Sequence, residues 1–293
     1  MVVLHILQLF EAYFMTYYSF HTHTTYCDGK AKAEVFIKRA IELQMKAIGF
    51  SSHAPFPIEV SWNMAEDQLM NYVNEIRSLS AKYQDEIDVY LSLELDYIPG
   101  VTKPFAQIKE AFGLDYTIGS VHLIKSPINN EFLFLDGPDT NYSHGLECFY
   151  QGDIKKMVKD YYHQVNEMIL QEKPDIIGHI DKIKMNNKGR YFSEDERWYQ
   201  NLLMETIDVI KETDCIVEIN TRGLYTKKSM SFYPDLNFAK ECKKNKIQMT
   251  ISTDAHHPDE LLLYFNEATE MLKESGYDSI RVYDKGKWGN VGI

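Results

Sequence analysis

The chain has 293 residues, 31 Lys+Arg against 43 Asp+Glu, and a formal net charge of −12 with histidine counted neutral. So acidic a surface repels a phosphate backbone and argues against nucleic acid as a general partner. At 44% hydrophobic and 25% charged residues the composition is that of an ordinary globular protein, and it excludes disordered and collagen-like chains.

Residues 1–14, MVVLHILQLFEAYF, are apolar but interrupted by His5, Gln8 and Glu11. The run is too short to span a bilayer and lacks the basic start and cleavage site of a signal peptide. It reads as an extension dispensable to the fold, with residues 15–293 forming one domain. Cys27, Cys148, Cys215 and Cys242 are scattered and form no CxxC pair. That spacing fits neither a disulfide framework nor a cysteine zinc site, and it leads to the expectation of a cytoplasmic protein.

From residue 17 onward, short β-prone runs alternate with helical patterns. The first strand, at 17–21, leads into HTHTTYCDG, which places His21, His23 and Asp28 at its carboxyl end. Alternate residues of an extended strand share a face, so His21 and His23 can serve one ion. A helix is predicted at 32–45, then a strand at 47–51 leading to His53. Leu69, Tyr72, Val73, Ile76, Leu79 and Tyr83 recur at three- and four-residue steps and mark one face of a second helix. A strand at 87–94 ends in Glu94, one at 116–122 ends in His122, and the segment 125–147 reads as a long loop. A helix at 153–172 precedes a strand at 175–179 that ends in His179. Ser193 and Glu196 form a capping-box pattern ahead of an apolar stripe at Leu202, Leu203, Ile207 and Ile210. The strand at 215–220 carries Glu218, Asn220 and, just beyond, Arg222. Helix 235–245, strand 247–254 ending in Asp254 with His256 following, and helix 258–275 complete the pattern.

Strands alternating with helices predict a parallel sheet, because parallel neighbours need a crossover. Seven strand ends that each carry a metal-competent or polar side chain favour an α/β barrel, whose active site is built on the carboxyl-end rim. A single histidine at a strand end is more often a hydrogen-bonded structural residue than a ligand. Six of the chain's ten histidines and three acids at such positions are a joint pattern that chance does not readily produce. Imidazole and carboxylate ligands suit zinc, manganese or iron. Nine candidates exceed the coordination of one ion and point to two or three. His5, His144, His163 and His257 lie outside the pattern.

The motifs HTHTTYCDG at 21–29, SSHAP at 51–55, Glu94, GSVH at 119–122, GHID at 178–181 and STDAH at 252–256 resemble those of the PHP (polymerase and histidinol phosphatase) family of metal-dependent phosphoesterases. The run HAPFP followed by Trp62, Asn63 and Met64, and the segment EINTRGLYTKK at 218–228, are similar to its histidinol-phosphate phosphatase branch. The resemblance implies a distorted (β/α)7 barrel with three divalent ions, zinc first and manganese or iron as alternatives. His21, His23, Glu94 and Asp254 would hold one ion. His122 and His179 would share Glu94 for a second, and Asp28, His53 and His256 would hold a third.

Such ions lower the pKa of bound water and clamp phosphate oxygens. Asp254, with His256 beside it, is the expected proton carrier, and Arg222 and Arg190 the expected phosphate donors, ahead of Lys227 and Lys228. Trp62 or acidic and aromatic groups of the 125–147 loop would receive the cationic end of histidinol phosphate. The expected partner is thus a small phosphate monoester, with no membrane and no nucleic acid. The competing readings are another phosphoesterase of the family, acting on a different small phosphate or a nucleic-acid end, and a noncatalytic metal-binding protein.

Overall fold

The computed structural model describes residues 16–293 except Glu59 and Asn130; the extension expected at 1–14 lies outside the described residues. In chain order the elements are β1 (Tyr18–Ser19), α1 (Ala33–Glu42), β2 (Ala47–Phe50), α2 (Leu69–Tyr83), β3 (Asp88–Leu91), β4 (Glu94–Asp96), α3 (Phe105–Phe112), β5 (Ile118–Ser120), β6 (Leu123–Lys125) and β7 (Phe132–Phe134). There follow α4 (Asp139–Tyr150), α5 (Ile154–Glu172), β8 (Ile176–Ile177), α6 (Arg197–Lys211), β9 (Ile216–Asn220), α7 (Arg222–Tyr225), α8 (Leu236–Lys244), β10 (Met249–Ser252), α9 (Phe265–Glu274), β11 (Ser279–Asp284) and β12 (Lys287–Gly292).

Two parallel sheets, β1-β2-β3 and β10-β9-β8-β5-β4, carry the architecture. β3 and β4 are consecutive in the chain, and at the other side a bridge between Thr22 and Ala255 joins the end of β1 to the end of β10. There the His23 amide donates to the Ala255 carbonyl at 2.9 Å and the Ala255 amide donates to the His21 carbonyl at 3.2 Å. Seven strand positions therefore follow one another in a ring, the arrangement of a distorted TIM-like barrel. The single strand expected at 87–94 is split because its two halves have different neighbours. Ile48 pairs with Val89 on one sheet and Glu94 with Ile118 on the other. At the break Ser92 turns its hydroxyl to the Tyr116 carbonyl at 2.9 Å.

The helices cover this ring with the stripes their spacing predicts. Every apolar residue of the α2 stripe is buried, and α1 buries Ala33, Phe36, Ile37 and Ala40 at the same period. Four expectations need correction. The pattern Ser193/Glu196 is only half a capping box. Glu196 itself flanks α6 and its carboxylate accepts from the Ser193 amide at 3.1 Å, while the Ser193 hydroxyl accepts from Asp195 instead. Helix 258–275 is interrupted because Tyr264 takes a left-handed φ of 60°, so α9 starts at Phe265. The loop 125–147 contains β7 and the first turns of α4, and the antiparallel pair β6-β7 makes a local excursion above the ring. Finally, α3 and the β11-β12 hairpin were not expected; α3 ends on Gly113, whose φ of 61° gives the left-handed helix stop that glycine allows.

Beneath the strand ends an aromatic cluster fills the barrel. Phe20 and Tyr116 meet edge-on at 5.8 Å, and Trp288 from the hairpin meets Phe20, Tyr116 and Tyr283 at 5.6, 5.7 and 5.2 Å. All four cysteines are free thiols. Among the described residues no helix is long and apolar enough to cross a membrane.

Candidate metal centre

The nine expected ligands converge at the carboxyl ends of the ring. Glu94 is the hub. Its Oε2 lies 3.3 Å from His21 Nε2, 3.5 Å from His23 Nε2 and 3.0 Å from His53 Nδ1. Its Oε1 lies 3.0 Å from His179 Nε2 and 3.5 Å from His122 Nε2. Asp254 Oδ1 is 3.2 Å from His23 Nε2, and Asp28 Oδ1 is 3.2 Å from His256 Nε2. Three groups gather one donor atom per residue within 4.8 Å of one another: His23, Asp28, His53 and His256; His21, His23 and Glu94; His53, Glu94 and His122. Compared with the sets the resemblance implied, His23 joins two groups, and His53 stands between the second set and the third.

Local backbone explains how the side chains get there. Gly29 closes the turn that carries Asp28, and a Cβ at this position would sit 2.5 Å from the Thr24 amide nitrogen, so no larger residue fits. His179 and Asp254 have φ values of 24° and 52°, a left-handed backbone that costs a residue with a Cβ about 1–3 kcal/mol. The buried Glu218 holds the first of these in place, accepting from the His179 amide at 3.0 Å.

Several imidazoles have one nitrogen engaged outside the cluster. His21 Nδ1 bonds Glu218 at 2.7 Å, His122 Nδ1 bonds Asp96 at 2.8 Å, and His256 Nδ1 bonds the Asp254 carbonyl at 3.0 Å. Such a partner fixes the tautomer and leaves Nε2 as the ligand atom, as in metal-binding histidines generally. His21 Nε2, His23 Nε2, His53 Nδ1, Asp28 Oδ1 and Asp254 Oδ1 are all buried without a hydrogen bond. Each such atom is worth about 1–3 kcal/mol of lost solvation, and five in one place fit a set of cation ligands. The donor chemistry is that of zinc, manganese or iron.

The electrostatics agree. Burial opposes charge on Glu94, yet the imidazoles of His53, His21 and His122 hold its carboxyl well below the usual range. Asp254 is likewise held low against burial by His21, His23 and the Arg222 guanidinium. For His21 burial opposes protonation, but Glu218, Asp254 and Glu94 together raise its pKa. His23 is pushed down by burial and by His256 and His53.

Above the cluster lies a cavity of about 210 Å³. The candidate ligands Asp28, His53, Glu94, His122, Asp254 and His256 form its base, and Trp62, Asp136, Gly137, Lys182, Arg222 and Lys228 form its walls. Trp62 packs edge-on against His53 with ring centroids 4.7 Å apart. Arg222 is where it was expected; its Nη1 reaches the Asp254 carbonyl at 3.2 Å and Glu260 at 3.3 Å. Lys228 lines the cavity and Lys227 does not. Arg190 is not brought to it either. Its guanidinium grips Asp139 with two nitrogens and lies over the Tyr191 ring, facing solvent.

Asp136 and Lys182 were not singled out from the sequence. Asp136 falls in the 125–147 loop, where an acidic group was expected without being identified, and Lys182 follows the GHID motif directly. A cation one turn beyond a candidate ligand was the available signal.

The PHP domain family matches residues 19–222. A histidinol-phosphatase of Bacillus subtilis (strain 168) is 25% identical over 251 residues, 80% of this chain and 92% of that protein. The crystal structure of histidinol phosphate phosphatase from Lactococcus lactis, complexed with zinc, L-histidinol and phosphate, has a TM-score of 0.66 at 20% identity, covering 93% of this chain and 98% of that one. A crystal structure from Listeria monocytogenes has a TM-score of 0.74 at 21% identity, covering 83% and 97%. With its family match spanning more than two thirds of the sequence and the nine expected ligands gathered at one rim, the chain belongs to the PHP domain family.

Proposed function

We propose that the protein is a metal-dependent histidinol-phosphate phosphatase, hydrolysing L-histidinol phosphate to L-histidinol and phosphate in histidine biosynthesis. The observation that carries this is the cavity. Its base is formed by six of the nine convergent imidazole and carboxylate residues, and its walls offer cations for a phosphate and Trp62 for a cationic leaving group. The Bacillus subtilis relative and the Lactococcus lactis structure, with L-histidinol and phosphate in the latter, support the choice of substrate.

His21, His23, Asp28, His53, Glu94, His122, His179, Asp254 and His256 would hold three divalent ions, with zinc first because the Lactococcus lactis structure is complexed with zinc. Bound there, the metal supplies Lewis acidity and acidifies water near neutral pH. Arg222 binds the phosphoryl group through its planar fork. Asp254, ionised at rest, would relay a proton to the leaving group during turnover, with Oδ2 steadied by the Asn220 amide at 3.2 Å and His256 Nδ1 3.4 Å from Oδ1. Trp62 receives the cationic aminoalcohol end. Residues 15–293 act as one domain in the cytoplasm.

The test is phosphate release from histidinol phosphate, simple sugar phosphates and a short oligonucleotide, with metal analysis on the same sample. Histidinol phosphate is expected to give the highest kcat/KM. A better sugar phosphate or oligonucleotide overturns the substrate assignment, and absence of turnover by a metal-loaded sample overturns the enzyme.

A further inference from the structure

We infer that Lys182 is a phosphoryl-binding residue of this cavity and that Asp136 is the residue that positions it; the inference rests on the phosphatase reading. Lysine is rarely buried, because an ammonium loses its hydration unless a partner replaces it. The Lys182 side chain is 8% exposed, and its Nζ lies 2.8 Å from Asp136 Oδ2. The two residues are 46 positions apart and reach the same cavity from different places. Lys182 comes from the turn after β8 and Asp136 from the segment after β7. Burial disfavours charge on both, yet Asp136 raises the Lys182 pKa and Lys182 lowers that of Asp136, so the pair is ionic.

If it only tied two loops together, an ion pair between a buried lysine and a half-buried aspartate, 35% exposed, would not need to open on the catalytic cavity. This one does. Asp136 Oδ2 also stands 3.9 Å from His122 Nε2, which puts the pair beside the ligand cluster. The arginine of the wall is differently placed to meet a phosphate. Arg222 already commits Nη1 to the Tyr225 hydroxyl at 3.0 Å, the Asp254 carbonyl and Glu260. An ammonium has three donors, and one carboxylate can occupy one of them while the others meet a phosphoryl oxygen. Lysine does this as a compact point charge, which asks for less orientation than the arginine fork. Asp136 limits where that charge stands, so the ammonium faces the cavity without being drawn onto Glu94 or Asp254.

The test uses the metal-loaded full-length protein and inorganic phosphate as the probe, measured by calorimetric titration and by inhibition of turnover. Lys182→Met is expected to weaken phosphate binding at least tenfold with metal content unchanged. Lys182→Arg should restore most of it, and Asp136→Asn should weaken it by a smaller factor. Because the phosphoryl group is common to both substrates, Lys182→Met should lower kcat/KM for histidinol phosphate and for p-nitrophenyl phosphate by the same factor. Unchanged phosphate affinity overturns the inference. So does a loss confined to histidinol phosphate, which would put Lys182 at the leaving group. If Lys182→Met fails to fold, Lys182→Gln and Asp136→Asn decide by the same titration. Failure of histidinol phosphate as a substrate of the unaltered enzyme would remove the substrate assignment, while the phosphate titration would still read Lys182.

Discussion

Phe20 and His21 are neighbours in the chain and both are fully buried, but their side chains join different clusters of one barrel. Phe20 joins an aromatic floor with Tyr90, Tyr116, Tyr283 and Trp288, where Phe20 meets Tyr116 and Trp288 edge to face and Tyr90 at a tilt, and the Tyr116 hydroxyl donates to the Phe20 carbonyl at 2.5 Å. His21 joins a rim where buried nitrogens and oxygens crowd together with several left unbonded. The floor gains from apolar burial, with the Trp288 indole nitrogen its one ring heteroatom buried without a hydrogen bond among the described residues. The rim spends conformational strain at His179 and Asp254 to gather charges that need cations to complete them. Stability belongs to one end and chemistry to the other, the division a parallel barrel permits.

Substitution should break the two ends in different ways. The largest effect is expected at the hub. Glu94→Gln keeps the shape but removes the charge that five imidazoles face, so bound metal should fall and turnover drop by on the order of a thousandfold or more, the worth of several kcal/mol of metal-supplied stabilisation. Elemental analysis and steady-state kinetics check both, and an active, metal-replete variant would refute the role of Glu94. Trp288→Ala attacks the floor. Truncating a core Trp costs about 3–5 kcal/mol, and partial exposure of Trp288 places it near the lower figure. Denaturant unfolding should show that loss while kcat per folded molecule stays within about twofold. A large fall in kcat at unchanged stability would mean that floor and rim are not separable in this way.

The rim was more legible than the floor because its residues announce themselves twice, by type and by position. His21, His23, His122 and His179 follow β-prone runs, so strand prediction alone aligned them at one level of the barrel. The floor depends on the β11-β12 hairpin, whose local signal is short: Asp284, Lys285 and Gly286 form a turn between β-prone flanks, and the left-handed φ of 46° and 84° at the last two is what a tight hairpin requires. Lys182 and Asp136 were illegible for another reason. Their meaning lies in a contact between two loops, and no local period encodes it. Arg190 and Lys182 follow the same strand, and only the path of that loop decides which of them reaches the cavity.

Two smaller effects sharpen the boundary. Glu218→Gln leaves every ligand in place but weakens the bond that orients His21 and the one that fixes the His179 backbone. Loss of such a supporting partner typically costs about 10–100-fold in metal affinity or activity, measurable by competition with a chelator. An unchanged affinity would show that His21 is oriented by packing alone.

The smallest effect is expected from Arg190→Ala. Guanidinium and carboxylate pair through two nitrogens here, but the Arg190 side chain is 45% exposed and Asp139 46%, so water and salt screen the attraction. Exposed pairs contribute about 0–1 kcal/mol, and this one belongs to the start of α4, outside the cavity lining. KM for histidinol phosphate should therefore change by less than about twofold, the range such a screened contact allows, whereas Lys182→Met should lower phosphate affinity at least tenfold. A tenfold rise in KM for Arg190→Ala would mean that the arginine leaves Asp139 to meet substrate, and the cationic wall would then extend beyond Lys182, Arg222 and Lys228.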